Sequence, residues 1–305
     1  MSWSVSDIPD QTGRNIVITG ANSGLGLESV FALAQHNARV IMACRNPQKA
    51  DAARQQALSR VPGADLRVEI VDLGDLASVR AFAERLDVDH IDILLNNAGV
   101  MAIPRSTTKD GFETQIGVNH LGHFALTGGL MDRLLAAPSA RIVTVSSLYH
   151  RPGRIRFDDL HGVKTYAKWE AYAQSKLANV LFTLGLHERL SETPIIACGA
   201  HPGYASTNLQ MVGPQQENAL LMERVMGVAN AVFAQSAAKG ALPQLYAATA
   251  PDVQGNDYFG PSGLFEMWGS PKKAAISTRG QDVDLADRLW QRSVEETGVD
   301  YSALT

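Results

Sequence analysis

The chain has 305 residues, 45% of them hydrophobic and 19% charged, with a net charge of −4. That is the make-up of an ordinary globular protein, and its mildly acidic balance speaks against nucleic acid or an anionic membrane as partner. Cys44 and Cys198, the only cysteines, cannot build a disulfide framework and fit a reducing compartment. Residues 1–10 lack a basic start followed by an apolar run, and no apolar stretch approaches the roughly 20 residues that span a bilayer. The expectation is therefore a cytoplasmic protein with no secretory signal and no transmembrane segment. Histidines are scattered without metal-ligand spacing, so no metal is expected.

No repeat, low-complexity tract or Pro/Ser-rich linker divides the chain, and residues 1–305 read as one domain. Residues 15–19 (Asn-Ile-Val-Ile-Thr) read as a buried strand that runs straight into Gly20-Ala-Asn-Ser-Gly-Leu-Gly26, with a helical pattern over 27–36. Strand, Gly-x-x-x-Gly-x-Gly loop and helix together read as a dinucleotide cradle, the alternative being a βα turn that simply uses glycine. Gly20 permits the turn, Gly24 lets backbone approach a pyrophosphate, and Gly26 lets helix pack on strand. Asn22, Ser23 and Leu25 lie in the same loop, where free N–H groups and the positive helix end face the phosphates. The missing Gly-Lys-Ser/Thr ending excludes a P-loop.

A second strand over 38–43 ends in Cys44-Arg45-Asn46, where an NAD site would carry an acidic residue for the ribose hydroxyls. Arg45 instead suits a 2′-phosphate, which favours NADP(H) over NAD(H), unless it is simply a solvated loop arginine. A helix over 49–58 and a third strand over 66–71 lead to Asp72-Leu73. Asp72 can bind an adenine amino group or cap the helix that starts near Leu76. A fourth strand over 91–95 ends in Asn96-Asn97-Ala98-Gly99, whose small residues leave room for the riboses. This rhythm predicts an α/β fold: a doubly wound Rossmann sheet, mostly parallel, of about seven strands with helices on both faces.

Asn119 falls inside the next helix, where an amide competes with the backbone, so it marks a kink, a polar network or a solvated surface position. A fifth strand over 140–145 delivers Ser146-Ser147 at its carboxyl end, where open α/β sheets bind ligands. Residues 169–190 carry helical periodicity and hold Tyr172-Ala-Gln-Ser-Lys176. Four residues make about one turn, so phenol and ammonium share a face; taken alone they read as an ordinary helix surface pair, but with a dinucleotide site upstream the positive charge is expected to lower the phenol from its usual value of about 10. A sixth strand over 194–200 ends in His201-Pro202-Gly203. Residues 204–235 read as a substrate-covering insertion rich in Leu and Met, which suit irregular apolar ligands, or equally as helix core. Tyr149, His150, Tyr166, Trp169, Tyr204 and Trp268 are further pocket candidates. A helix over 237–249, a last strand region around Tyr258-Phe259 and Leu264-Phe265, and an amphipathic tail over 281–305 complete the chain.

In order and spacing the Thr19–Gly26 loop, the Asn96–Gly99 turn, Asn119, Ser147, Tyr172, Lys176 and Pro202-Gly203 resemble the short-chain dehydrogenase/reductase family of the classical type, from Asn15 to about Asp257. Ser146-Ser-Leu-Tyr-His150, Phe157-Asp-Asp-Leu160 and the residues around Ala171–Phe182 are similar to its retinol-dehydrogenase-like and WW-domain-oxidoreductase-like branch. That branch has a long serine-to-tyrosine segment, and here 172 − 147 = 25, which selects Ser147 over the fallback Ser146. The resemblance implies that Tyr172 exchanges a proton with the carbonyl oxygen and Ser147 positions it. It further implies that Lys176 lowers the Tyr172 pKa and binds the nicotinamide ribose, while Asn119 holds a relay water. Pro202-Gly203 would support the nicotinamide and Thr207 bind its carboxamide. Some NADP-dependent relatives carry a basic residue where this loop has Ser23, so selectivity rests on Arg45. The expected reaction is hydride transfer between NADP(H) and a small lipophilic carbonyl/alcohol pair, retinal-like. A homodimer or homotetramer is expected by analogy. The alternatives are a catalytically idle cofactor-binding protein, which the complete residue set disfavours, and an NAD-dependent alcohol or steroid dehydrogenase.

Overall fold

The computed structural model describes residues 2–204 and 235–304. Thr207 and nearly all of the 204–235 insertion therefore lie outside the described residues. The strands are β1 (Asn15–Thr19), β2 (Arg39–Cys44), β3 (Leu66–Ile70), β4 (Ile93–Asn96), β5 (Arg141–Val145), β6 (Ile196–Ala200), β7 (Tyr258–Pro261) and β8 (Pro271–Lys273). They form one sheet in the order β3-β2-β1-β4-β5-β6-β7-β8, parallel except for the final antiparallel pair. The chain winds outward from β1 to β3, then crosses back to β4 on the other side of β1. That reversal is the point where open α/β sheets bind ligands.

The strands are Val/Ile-rich because helices cover both faces. Alternation along β1 shows it: Ile16 and Ile18 enter one core and Val17 the other. The first core holds Val30 and Leu33 of α1 (Gly24–Gln35), Ala53 of α2 (Pro47–Arg60) and Leu245 of α8 (Ala237–Thr249). The second holds Phe82 of α3 (Leu76–Arg85) and Phe124 of α5 (Gly122–Gly129). It also holds Phe182 of α7 (Lys168–Arg189) and Trp290 of α9 (Val283–Thr297). Between α3 and α5, α4 (Thr114–Ile116) passes through a π-helical turn over Gly117–Leu121, and α6 (Met131–Leu135) follows α5.

The sheet has eight strands rather than about seven. Pro271–Lys273 carries no alternating apolar signal, because it is an edge strand whose two lysines face solvent. Leu264–Glu266, read as part of the last strand region, is a short 3₁₀ turn with Leu264 and Phe265 exposed. The cap of α3 is Asp75, which accepts from the Ala77 and Ser78 amides; Asp72 accepts from Gly74 instead. Among the described residues no helix is long and apolar enough to cross a membrane.

The C-terminal helix is an integral wall. Trp290 is 5% exposed and meets Phe124 edge-on at 5.0 Å, Phe182 at 6.0 Å and Tyr301 at 4.6 Å. Trp290→Ala is expected to cost about 3–5 kcal/mol, read as a lower urea midpoint with an unchanged slope.

Candidate active site

Six carboxyl strand ends gather the predicted residues. The glycine loop follows β1, Arg45 follows β2, Asp72 and Leu73 follow β3, and Asn97–Gly99 follow β4. Ser147 follows β5 and Pro202-Gly203 follow β6. Thr19, the last residue of β1, joins two of these turns: its Oγ1 accepts from the Asn97 and Ala98 amides, both at 2.9 Å. With both acceptor positions in use, its proton goes to His123 Nε2 at 2.9 Å. His123 Nδ1–H then donates to the Asn119 carbonyl at 3.0 Å. Burial keeps His123 neutral, pushing it down to about 4. A polar residue ending an otherwise apolar strand was the available sign of this joint.

The cradle fits a dinucleotide. Gly20 and Gly24 have positive φ, +65° and +53°. A Cβ on Gly26 would lie 2.3 Å from the Gly20 carbonyl oxygen, so helix and strand touch there only because that residue is glycine. Asn46, Asp75 and Glu113 cap their helices with side chains, but Ser23 makes no such bond at the start of α1. The first-turn amides of α1 are left to an anion. Arg45 is exposed and makes no hydrogen bond or ion pair with the described residues.

Asn119 sits on the π-helical turn, fully buried. Its Oδ1 accepts from the Val100 amide at 2.8 Å. Its Nδ2 donates to the Val100 carbonyl and to Ser175 Oγ, both at 2.9 Å. The side-chain amide is thus engaged with protein partners. Of the readings open from sequence, a polar network at a helix irregularity is the one observed.

The two serines separate cleanly. Ser146 is buried and donates to the Lys176 carbonyl at 2.7 Å. Ser147 is partly exposed and reaches the Tyr172 phenol, a contact that favours the phenolate. Tyr172 is 4% exposed, with Tyr149 edge-on at 5.6 Å and Trp169 at 6.3 Å; those two rings stack on each other at 5.0 Å with large exposed faces. Lys176 Nζ lies 5.7 Å from the Tyr172 ring centroid and donates to the Val145 carbonyl at 3.2 Å.

The expected lowering of the phenol is not found in the chain alone. Burial dominates and pushes Tyr172 up to about 12, with only Ser147 opposing it. The same burial drives Lys176 down to about 8. Tyr172 is therefore a held proton near neutrality, and Lys176 a charge without a carboxylate partner among the described residues. Among those residues no group of His, Cys, Asp and Glu is gathered that could hold a metal ion.

Lys176 titrates near 10.5 unfolded and about 8 folded. Between those values the unfolded chain holds a proton that the folded chain has released, so this lysine's destabilising effect is relieved as pH rises. Lys176→Met is expected to raise Tm at pH 7, and its advantage over wild type should shrink by pH 9.5 in thermal melts.

Comparison with known proteins identifies the family. Residues 14–218 match the short chain dehydrogenase family. Retinol dehydrogenase 12 of Mus musculus is 40% identical over 293 residues, covering 95% of this chain and 88% of that protein. The crystal structure of an uncharacterized protein from Mycobacterium paratuberculosis is 41% identical, covers 99% of both chains and superposes with a TM-score of 0.82. A Shigella flexneri short chain dehydrogenase complexed with NADP shares 21% identity over 81% of this chain and 97% of that one, with a TM-score of 0.63, a likeness of fold alone. With the serine, phenol and ammonium gathered beside a glycine cradle, this chain belongs to the short-chain dehydrogenase/reductase family and is an oxidoreductase of the retinol-dehydrogenase-like kind.

Proposed function

We propose that the protein reduces lipophilic aldehydes or ketones with NADPH, Tyr172 acting as general acid. The observation that carries this reading is the meeting of the Ser147 hydroxyl with a buried, protonated phenol on the cradle side of the sheet. A phenol pushed up to about 12 keeps its proton at neutral pH, which suits donation to a developing alkoxide more than removal of an alcohol proton. When bound, the nicotinamide supplies the hydride.

The chain's own residues divide the remaining work. Ser147 donates to the carbonyl oxygen and sets it against the phenol. Tyr172 transfers the proton. Lys176 faces the cleft floor beside Gly99, where a Cβ would lie 3.6 Å from Nζ, and is the residue placed to hold ribose hydroxyls. Asn119 fixes the Gly99–Val100 backbone next to it. Gly20, Asn22, Ser23, Gly24, Leu25 and Gly26 cradle the phosphates. Asp72, Leu73, Asn97 and Ala98 border the adenosine side, and Arg45, exposed and uncommitted, takes the 2′-phosphate. The open aromatic faces of Tyr149 and Trp169 next to Tyr172 support an apolar substrate. The name of the mouse relative, a retinol dehydrogenase, supports the same class.

Turnover of NADPH with a panel of hydrophobic aldehydes, ketones and steroids tests the reading, and absence of turnover across the panel overturns it. Tyr172→Phe is expected to lower kcat by about 10²–10⁴ while leaving the NADPH Kd nearly unchanged. Arg45→Ala should weaken NADPH by about tenfold and leave NADH unaffected in the same titration. Tighter NADH than NADPH binding by the wild type would end the phosphate assignment.

A further inference from the structure

We propose that Glu266 is a positioning residue that fixes the Pro202-Gly203 turn beneath the nicotinamide, acting through His201. The inference rests on the cofactor reading above and concerns residues that reading does not use.

His201 is fully buried at the end of β6. Its Nδ1 accepts from the Gly203 amide at 3.2 Å, so the ring proton sits on Nε2, which donates to Glu266 Oε2 at 3.1 Å. Arg151 donates to the same oxygen at 2.8 Å. Burial holds His201 below its ordinary range, and the His201 hydrogen bond followed by the Arg151 charge holds Glu266 below its own. A neutral ring between a carboxylate and an amide has its tautomer set by the carboxylate. The chain Arg151–Glu266–His201–Gly203 thus ties the segment after Ser147 to the turn after β6. Ser146, which precedes Ser147, donates its own amide to the Ala200 carbonyl at 2.7 Å, so the two strand ends adjoin.

The backbone around Glu266 is set for this contact at a cost. Phe265 and Glu266 both adopt left-handed φ, 52° and 58°, which non-glycine residues hold only when their surroundings demand it. Gly203 has φ +66°, and a Cβ there would lie 2.5 Å from the Met267 carbonyl oxygen and 2.8 Å from that of Glu266. Tyr204 donates its amide to Met267 at 2.9 Å. A strained strap is therefore pressed against a turn that has no side chain, and the one charged group on the strap points at the histidine that fixes that turn.

Calorimetric titration of wild type and Glu266→Ala with NADPH and with adenosine 2′,5′-bisphosphate, which lacks the nicotinamide half, tests the role. NADPH is expected to weaken about tenfold, the size of one lost charge-assisted bond, while the bisphosphate stays within about twofold. Equal weakening of both, or of neither, overturns the proposal, since a merely structural glutamate does not distinguish the halves. Should Glu266→Ala fail to fold, Arg151→Met is expected to weaken NADPH selectively by about threefold, and no selectivity overturns the role. Histidine ¹⁵N spectra of the wild type are expected to show the Nε2–H tautomer at His201, and Nδ1–H overturns it. A wild type that binds neither probe sinks the cofactor reading and this role with it, whereas unselective weakening in a protein whose wild type binds both sinks this role alone.

Discussion

A buried ammonium with no carboxylate to neutralise it governs the centre of this molecule. Lys176 is 3% exposed, and its ammonium donates to the Val145 carbonyl. A charge in that setting is destabilising unless something polar answers it. Gly99 contributes no side chain, and Asn119 spends its amide on holding the Gly99–Val100 backbone where it is. The fold tolerates an unfavourable group because its helix α7 is anchored elsewhere, by Ser146 on the Lys176 carbonyl and by Asn179 on Val145.

The same logic of polar groups locking polar groups runs across the sheet. Thr19 at the end of β1 holds the turn after β4 and donates a hydrogen bond to His123, which in turn donates to the Asn119 carbonyl. The glycine loop, the Asn97–Val100 segment and α7 are thereby coupled through neutral bonds in a buried interior, where such bonds are strongest and least forgiving of a missing partner.

Much of this was legible in the sequence, for identifiable reasons. Strands buried on both faces announce themselves as apolar runs, and the glycine loop carries its own geometry, so β1, the cradle and the strand ends followed from residue type. The Tyr172–Lys176 pair followed from helical spacing. Three features did not. β8 has no apolar side because only one of its edges is paired. The phenol's upward shift was hidden because spacing places a charge nearby but does not report burial, and here burial raises the phenol with only Ser147 opposing it. Glu266 lies 65 residues from His201, and nothing local in Leu-Phe-Glu signals a strap with reversed backbone angles.

The docking of α9 has a temporal meaning. Ser293 bonds His120, the neighbour of Asn119, across 173 residues, and Tyr301 bonds the Phe124 carbonyl across 177. During synthesis the π-helical turn emerges long before the segment that clamps it, and contacts so remote in sequence close late. The bonds that clamp the π-helical turn are thus among the last that folding can close. In a mature molecule the same dependence runs backward: fraying of residues 283–301 loosens the Asn119 turn, and the bonds from Asn119 through His123 to Thr19 carry that loosening to the turn after β4.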